Sequence, residues 1–126
     1  MVQQQIKLCG KDVHLAYCYA TEISFKVLSD EEVHDFINDA MVAVNAQKMP
    51  DVRKCIFLIL SSITSYYDYK GEPAPIEDKD LMYNCEPDAL GAALAVIIKM
   101  YMDFYHLSKE EAEKAKKGKK GPKGKN

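Results

Sequence analysis

Four cysteines, three histidines and a run of acids are the residues in this 126-residue chain whose types could do chemistry. Cys9, Cys18, Cys55 and Cys85 lie far apart, and no pair has the spacing of a zinc knuckle or a redox C-x-x-C. His14 falls between Cys9 and Cys18, but on an alternating strand it points away from the face carrying Val13, Leu15 and Tyr17. No fourth ligand is near in sequence, so the sequence predicts no metal site and four separate buried or half-buried thiols. His34 falls on the polar side of a helix and His106 at a helix end, where a positive charge would suit the dipole. Glu77, Asp78 and Asp80 of "PIEDKD" lack the central glycine and ligand spacing of a calcium loop; a helix start accounts for them electrostatically. Gly10, Gly71 and Gly91 are too scattered to cradle a phosphate. The expectation is a protein that is not an enzyme and uses no cofactor.

Charge is the next source of chemistry. Residues 114–126 hold Lys114, Lys116, Lys117, Lys119, Lys120, Lys123 and Lys125 with three glycines, one proline and no acid. Setting those seven aside leaves ten basic residues against 19 acidic ones, a formal charge near −9 on residues 1–113. A basic arm on an acidic body can bind nucleic acid through released counterions. This one has no aromatic residue to stack on a base and no arginine to read a guanine edge. The composition reads as a flexible solvated tail, with nucleic-acid binding through these seven lysines as the alternative. Steep salt dependence of DNA binding, lost on deleting the tail, would favour that alternative.

A third class of chemistry is apolar contact. Tyr66, Tyr67 and Tyr69 cluster before the Pro-rich loop Gly71-Glu72-Pro73-Ala74-Pro75. Tyrosine joins a large contact area to a polar tip, which suits a protein interface; the competing reading is that one or two of them complete the core. Tyr101 and Tyr105 join them as candidate protein-binding residues.

The elements that must position these residues follow from periodicity. "IKLCGKDVHLAYCY" alternates as a β-hairpin around Gly10-Lys11-Asp12, with Tyr19 still on the second strand. Ala20, Ile23, Val27 and Leu28 recur at helical spacing. Ser29 and Glu32 have the form of a capping box ahead of a stripe of Val33, Phe36, Ile37, Met41 and Val44. Asp51 can cap a third helix, apolar nearly all round, that belongs at the centre of a core or under a partner. A short helix near Glu77 to Tyr83 and a long one opened by Pro87 complete the body, the latter with a stripe of Leu90, Leu94, Ile97, Tyr101 and Tyr105. Ser108 with Glu111 repeats the capping pattern. The prediction is one α+β domain, mostly helical with an N-terminal hairpin, over residues 1–108, then a short helix and basic tail over 109–126. "ALGAALAVII" stops at Lys99, short of the roughly 20 residues a membrane span needs, and the polar opening "MVQQQ" has no signal-peptide form. A cytoplasmic protein is expected.

The order of these elements resembles the tail assembly chaperones of long-tailed bacteriophages and of prophages derived from them. The resemblance is carried by the hairpin with its "GK" turn, the apolar helix ending in tyrosines, the Pro-containing loop and "DLMYNCEPDALGAALAVI", and covers roughly residues 5–108. It implies a non-enzymatic factor in the bacterial host cytoplasm that binds the tape measure protein and the tail tube protein. Self-association is expected in addition from the all-round apolar third helix. It also implies that the Gly-Lys and Lys-Lys pairs of the tail, such as Gly118-Lys119 and Lys119-Lys120, record a slippery site in the messenger RNA.

Overall fold

A computed structural model describes residues 1–107. The chain opens with an antiparallel hairpin of β1 (Val2–Leu8) and β2 (Lys11–Tyr17), in register from Val2 opposite Tyr17 to Leu8 opposite Lys11. Only Cys9 and Gly10 connect the strands, both at positive φ (52° and 78°). Two consecutive left-handed residues give a primed turn, whose twist matches that of the strands. The turn therefore sits one residue earlier than the composition suggested, and Lys11 and Asp12 belong to the ladder.

Two strands cannot bury themselves, and here helices cover both sides. His14, on one face, stacks on Tyr66 with centroids 4.5 Å apart. Tyr17, on the other, meets Tyr101 and Phe104. The strand ends earlier than its alternation implied, and Tyr19 opens α1 (Tyr19–Ser29) after a single extended residue, Cys18. Thr21 locks this corner. Its Oγ1 accepts from the Cys18 N–H (3.3 Å) and lies 2.9 Å from the Ala16 carbonyl and 3.1 Å from Ser65 Oγ. Those bonds fix the rotation of the helix, so Thr21 and Phe25 face the core. The apolar set expected to face inward points out instead: Ile23 is 65 % exposed, Val27 78 %, and Tyr19, Ala20 and Leu28 are exposed with them.

Asp30, left-handed at φ 59°, ends α1. Ser29 closes that end, its Oγ donating to the Phe25 carbonyl (2.7 Å) and accepting from the Glu31 N–H (3.2 Å). The expected Ser29–Glu32 capping box is therefore not formed, because Ser29 is committed to the preceding helix. In α2 (Val33–Asn45), Val33, Phe36 and Ile37 are buried as their periodicity required, whereas Met41 is half-buried and Val44 exposed.

Helix α3 (Val52–Lys70) is the central element. Asp51 caps it as expected, accepting from the Arg53 and Lys54 N–H groups at 3.0 and 3.3 Å, and Gly71 ends it in the left-handed region. Most of its apolar residues are packed inside the chain by β2, α1, α4 (Asp78–Tyr83) and α5 (Pro87–Phe104), while Phe57 and Leu60 are half-buried and Val52 and Tyr69 exposed. Asp80 accepts from the Glu77 N–H (2.8 Å) at the start of α4, and this bond holds its carboxyl below the usual carboxylate range. Pro87 stands in the first turn of α5, where its missing N–H costs nothing.

One expectation about the cysteines is overturned. Cys9 and Cys85 form a disulfide, their Cα atoms 5.2 Å apart across a sequence separation of 76. The tight turn carries Cys9 to the loop between α4 and α5, a juxtaposition that no local spacing announces. Cys18 and Cys55 are free thiols, and burial pushes that of Cys55 up to about 11. No helix among the described residues is long and apolar enough to cross a membrane.

Candidate functional site

The five candidate tyrosines separate into three environments. Tyr66 and Tyr67, each 8 % exposed, pack against His14, and the Tyr67 hydroxyl accepts from the His14 N–H at 3.2 Å. Tyr69, next to them in sequence, is 71 % exposed. Tyr101 is buried and Tyr105 half-buried, and they belong to one polar network.

Glu22, on α1, is the centre of that network. One oxygen of its carboxylate, Oε2, accepts from the hydroxyls of Tyr17 (2.8 Å) and Tyr105 (2.5 Å). His34 Nε2 approaches the same oxygen to 4.0 Å, and His34 Nδ1 lies 2.8 Å from the Tyr101 hydroxyl. Burial, followed by the bond to Glu22, raises both Tyr17 and Tyr105 well above the ordinary phenol value, and burial raises Tyr101. The phenols therefore stay neutral donors at physiological pH. The rings of Tyr17, His34, Tyr101, Phe104 and Tyr105 pack edge to face or tilted. Their hydrogen-bonding groups are turned on one another, so the cluster joins β2, α1, α2 and α5. Glu22 and His34 were not legible as members, because Glu22 lies 83 residues from Tyr105 and His34 lies 67 from Tyr101.

Open apolar surface is found elsewhere. The carboxyl end of α2, the connection to Pro50 and the outer face of α5 enclose a groove of about 930 Å³. Met41, Val44, Met49, Leu94, Ile98, Met102 and Leu107 line it, and Gly91 and Ala95 leave room along α5. Lys48, Lys99 and Asp103 stand among the lining residues. A Cβ added at Gly91 would meet nothing within 4 Å, so the helix backbone itself forms part of the floor. Methionine is unbranched and polarisable, and three of them in one groove suit a surface that adapts to its occupant. A Met-rich trough beside small residues is the form in which an amphipathic helix is taken up. The sequence reading had Met41 and Val44 in the core stripe of α2; in the structure Met41 is half-buried, Val44 is exposed and both line the groove.

The lysines of the alternative reading, Lys114 to Lys125, lie outside the described residues, as does the helix expected from Ser108. Among the described residues, no group of three or more His, Cys, Asp or Glu side chains is placed to hold a metal ion. Comparison with protein-family models, curated proteins and solved structures finds no significant match.

Proposed function

We propose that this chain is a non-enzymatic assembly factor of the phage tail chaperone type, which shields apolar helices of a tape measure protein and brings them to tail tube subunits. The observation that carries the reading is the Met-rich groove between α2 and α5. Long apolar helices aggregate unless covered, and a groove lined by flexible thioether side chains covers many sequences with little demand on any one. The resemblance in element order supplies the class of client, and the groove supplies a place for it. Tyr69, exposed at the end of α3, is outside the groove lining and stays a separate candidate contact. Tyr101 serves such a surface from beneath, its hydroxyl on His34 joining the two helices that frame it.

The test is co-expression with the tape measure protein encoded beside this chain. The chain should keep that protein soluble, and Gly91→Trp, which fills the groove from its floor, should abolish the effect while Gly91→Ala preserves it. Gene neighbours without a tail tube or tape measure protein, or equal protection by Gly91→Trp, would overturn the reading.

A further inference from the structure

The two outer edges of the hairpin differ. On β2, backbone groups that point away from β1 are taken up by side chains: the His14 N–H donates to the Tyr67 hydroxyl at 3.2 Å, and the Ala16 carbonyl accepts from Thr21 Oγ1 at 2.9 Å. Antiparallel strands alternate between pairs that bond to each other and pairs that turn their backbone groups outward. His14 and Ala16 are of the second kind, so Gln5 and Gln3 opposite them are too, and Lys7 opposite Asp12 continues the series. All three are exposed, and no hydrogen bond from another of the described residues reaches their outward N–H or carbonyl.

β1 therefore presents the donors and acceptors of Gln3, Gln5 and Lys7 at two-residue spacing, a repeat that an extended backbone matches. An edge with no binding role is commonly blunted by charge, proline or a bulge. β1 has no proline, its register runs unbroken from Val2 to Leu8, and its one charge, Lys7, is paired with Asp12 at 3.7 Å. Side chains set the composition that fits. One face of β1 carries Val2 and Ile6, half-buried against the core, and the other the exposed amides of Gln3 and Gln5. An added strand continues both rows, so it needs apolar β-formers at alternate positions and polar residues between them.

We infer that β1 is a docking edge for an extended segment of another protein, one that alternates apolar and polar residues and joins the hairpin as a third strand. Neither source within this sequence fits. Residues 108–126 hold only Ala112, Ala115 and Pro122 as apolar side chains, and β1 of another copy would bring Gln4 into the middle of the apolar row. The edge is separate from the groove, whose lining includes none of Gln3, Gln5 and Lys7, and it does not rest on the client reading.

Amide hydrogen exchange, followed by NMR on the isotopically labelled full chain, tests this. In the free chain the amides of Gln3, Gln5 and Lys7 should exchange fast, and those of Gln4, Ile6, Leu8 and His14 slowly. The probe is a synthetic peptide of alternating valine and threonine with charged ends. It should shift the resonances of Gln3, Gln5 and Lys7 and slow their exchange, leaving Met41, Met49 and Met102 of the groove unmoved. The same peptide, N-methylated at alternate residues so that the edge meeting β1 has no N–H, should do nothing. Gln5→Pro removes the central outward N–H without touching a bond between β1 and β2, and should lose the binding with unchanged circular dichroism. Should that variant misfold, the N-methylated peptide carries the same comparison. Edge amides already slow in the free chain, protection that rises with protein concentration alone, a peptide that moves no β1 resonance or only groove residues, or equal binding by the N-methylated peptide would overturn the inference.

Discussion

Glu22 holds two phenols on one carboxylate oxygen, which makes the network sensitive to alkali. Tyr17 and Tyr105 have folded-state pKa values raised above those of an unfolded chain. Their contribution is fully present below the unfolded tyrosine value near 10 and is lost as pH rises beyond it. The melting temperature should accordingly fall steeply above about pH 10. Tyr17→Phe with Tyr105→Phe should flatten that alkaline fall. Tyr17→Phe alone should cost about 1.5–3 kcal/mol at neutral pH, the range for a hydrogen bond to a charged group. An unchanged alkaline slope in the double variant would remove the network from the account. Tyr101 and Tyr105, four apart on one helix, were legible in the sequence as neighbours. Their acceptor was not, since periodicity relates residues within an element and Glu22 belongs to another.

Among the elements, α3 carries a row of serines through the core that periodicity alone reads as apolar. Ser61 donates to the Phe57 carbonyl at 2.7 Å and Ser65 to the Ser61 carbonyl at 2.8 Å, while Ser62 Oγ is buried without a partner among the described residues. An unpaired buried hydroxyl costs about 1–3 kcal/mol, and a satisfied one contributes about 0.5–1.5 kcal/mol. Urea denaturation should therefore show Ser62→Ala more stable than wild type and Ser65→Ala less stable; the reverse order would mean that Ser62 has a partner. The central place of α3 was legible in its all-round apolar sequence, and its start in Asp51. The rotation of α1 was not legible. It is set by the bonds of Thr21 to Cys18 and Ala16, and a count of apolar residues favours the opposite face. The groove was hidden for a related reason: Met41 and Val44 continue the core stripe of α2 by periodicity, yet they line open surface.

At the scale of the molecule, the disulfide ties the hairpin turn to the entry of α5. Closing a loop of that size restricts the unfolded chain by roughly 4 kcal/mol on the chain-entropy model. Unfolded without reductant, the chain should yield two thiols to a chromogenic disulfide reagent, Cys18 and Cys55, and four after reduction. Four thiols without reductant would show the bridge absent. The bridge also places two demands on one residue. Cys9 is the first residue of a primed turn, a position that asparagine or glycine fills with less strain than a side chain such as cysteine. Local preference and covalent closure thus pull position 9 toward different amino acids, and position 85 decides between them. Were Cys85 lost by mutation, Cys9 would keep the strain and lose its compensation, so the next favoured change would be at position 9, toward asparagine or glycine. Two positions 76 residues apart should therefore drift together, bound by the shape of one turn.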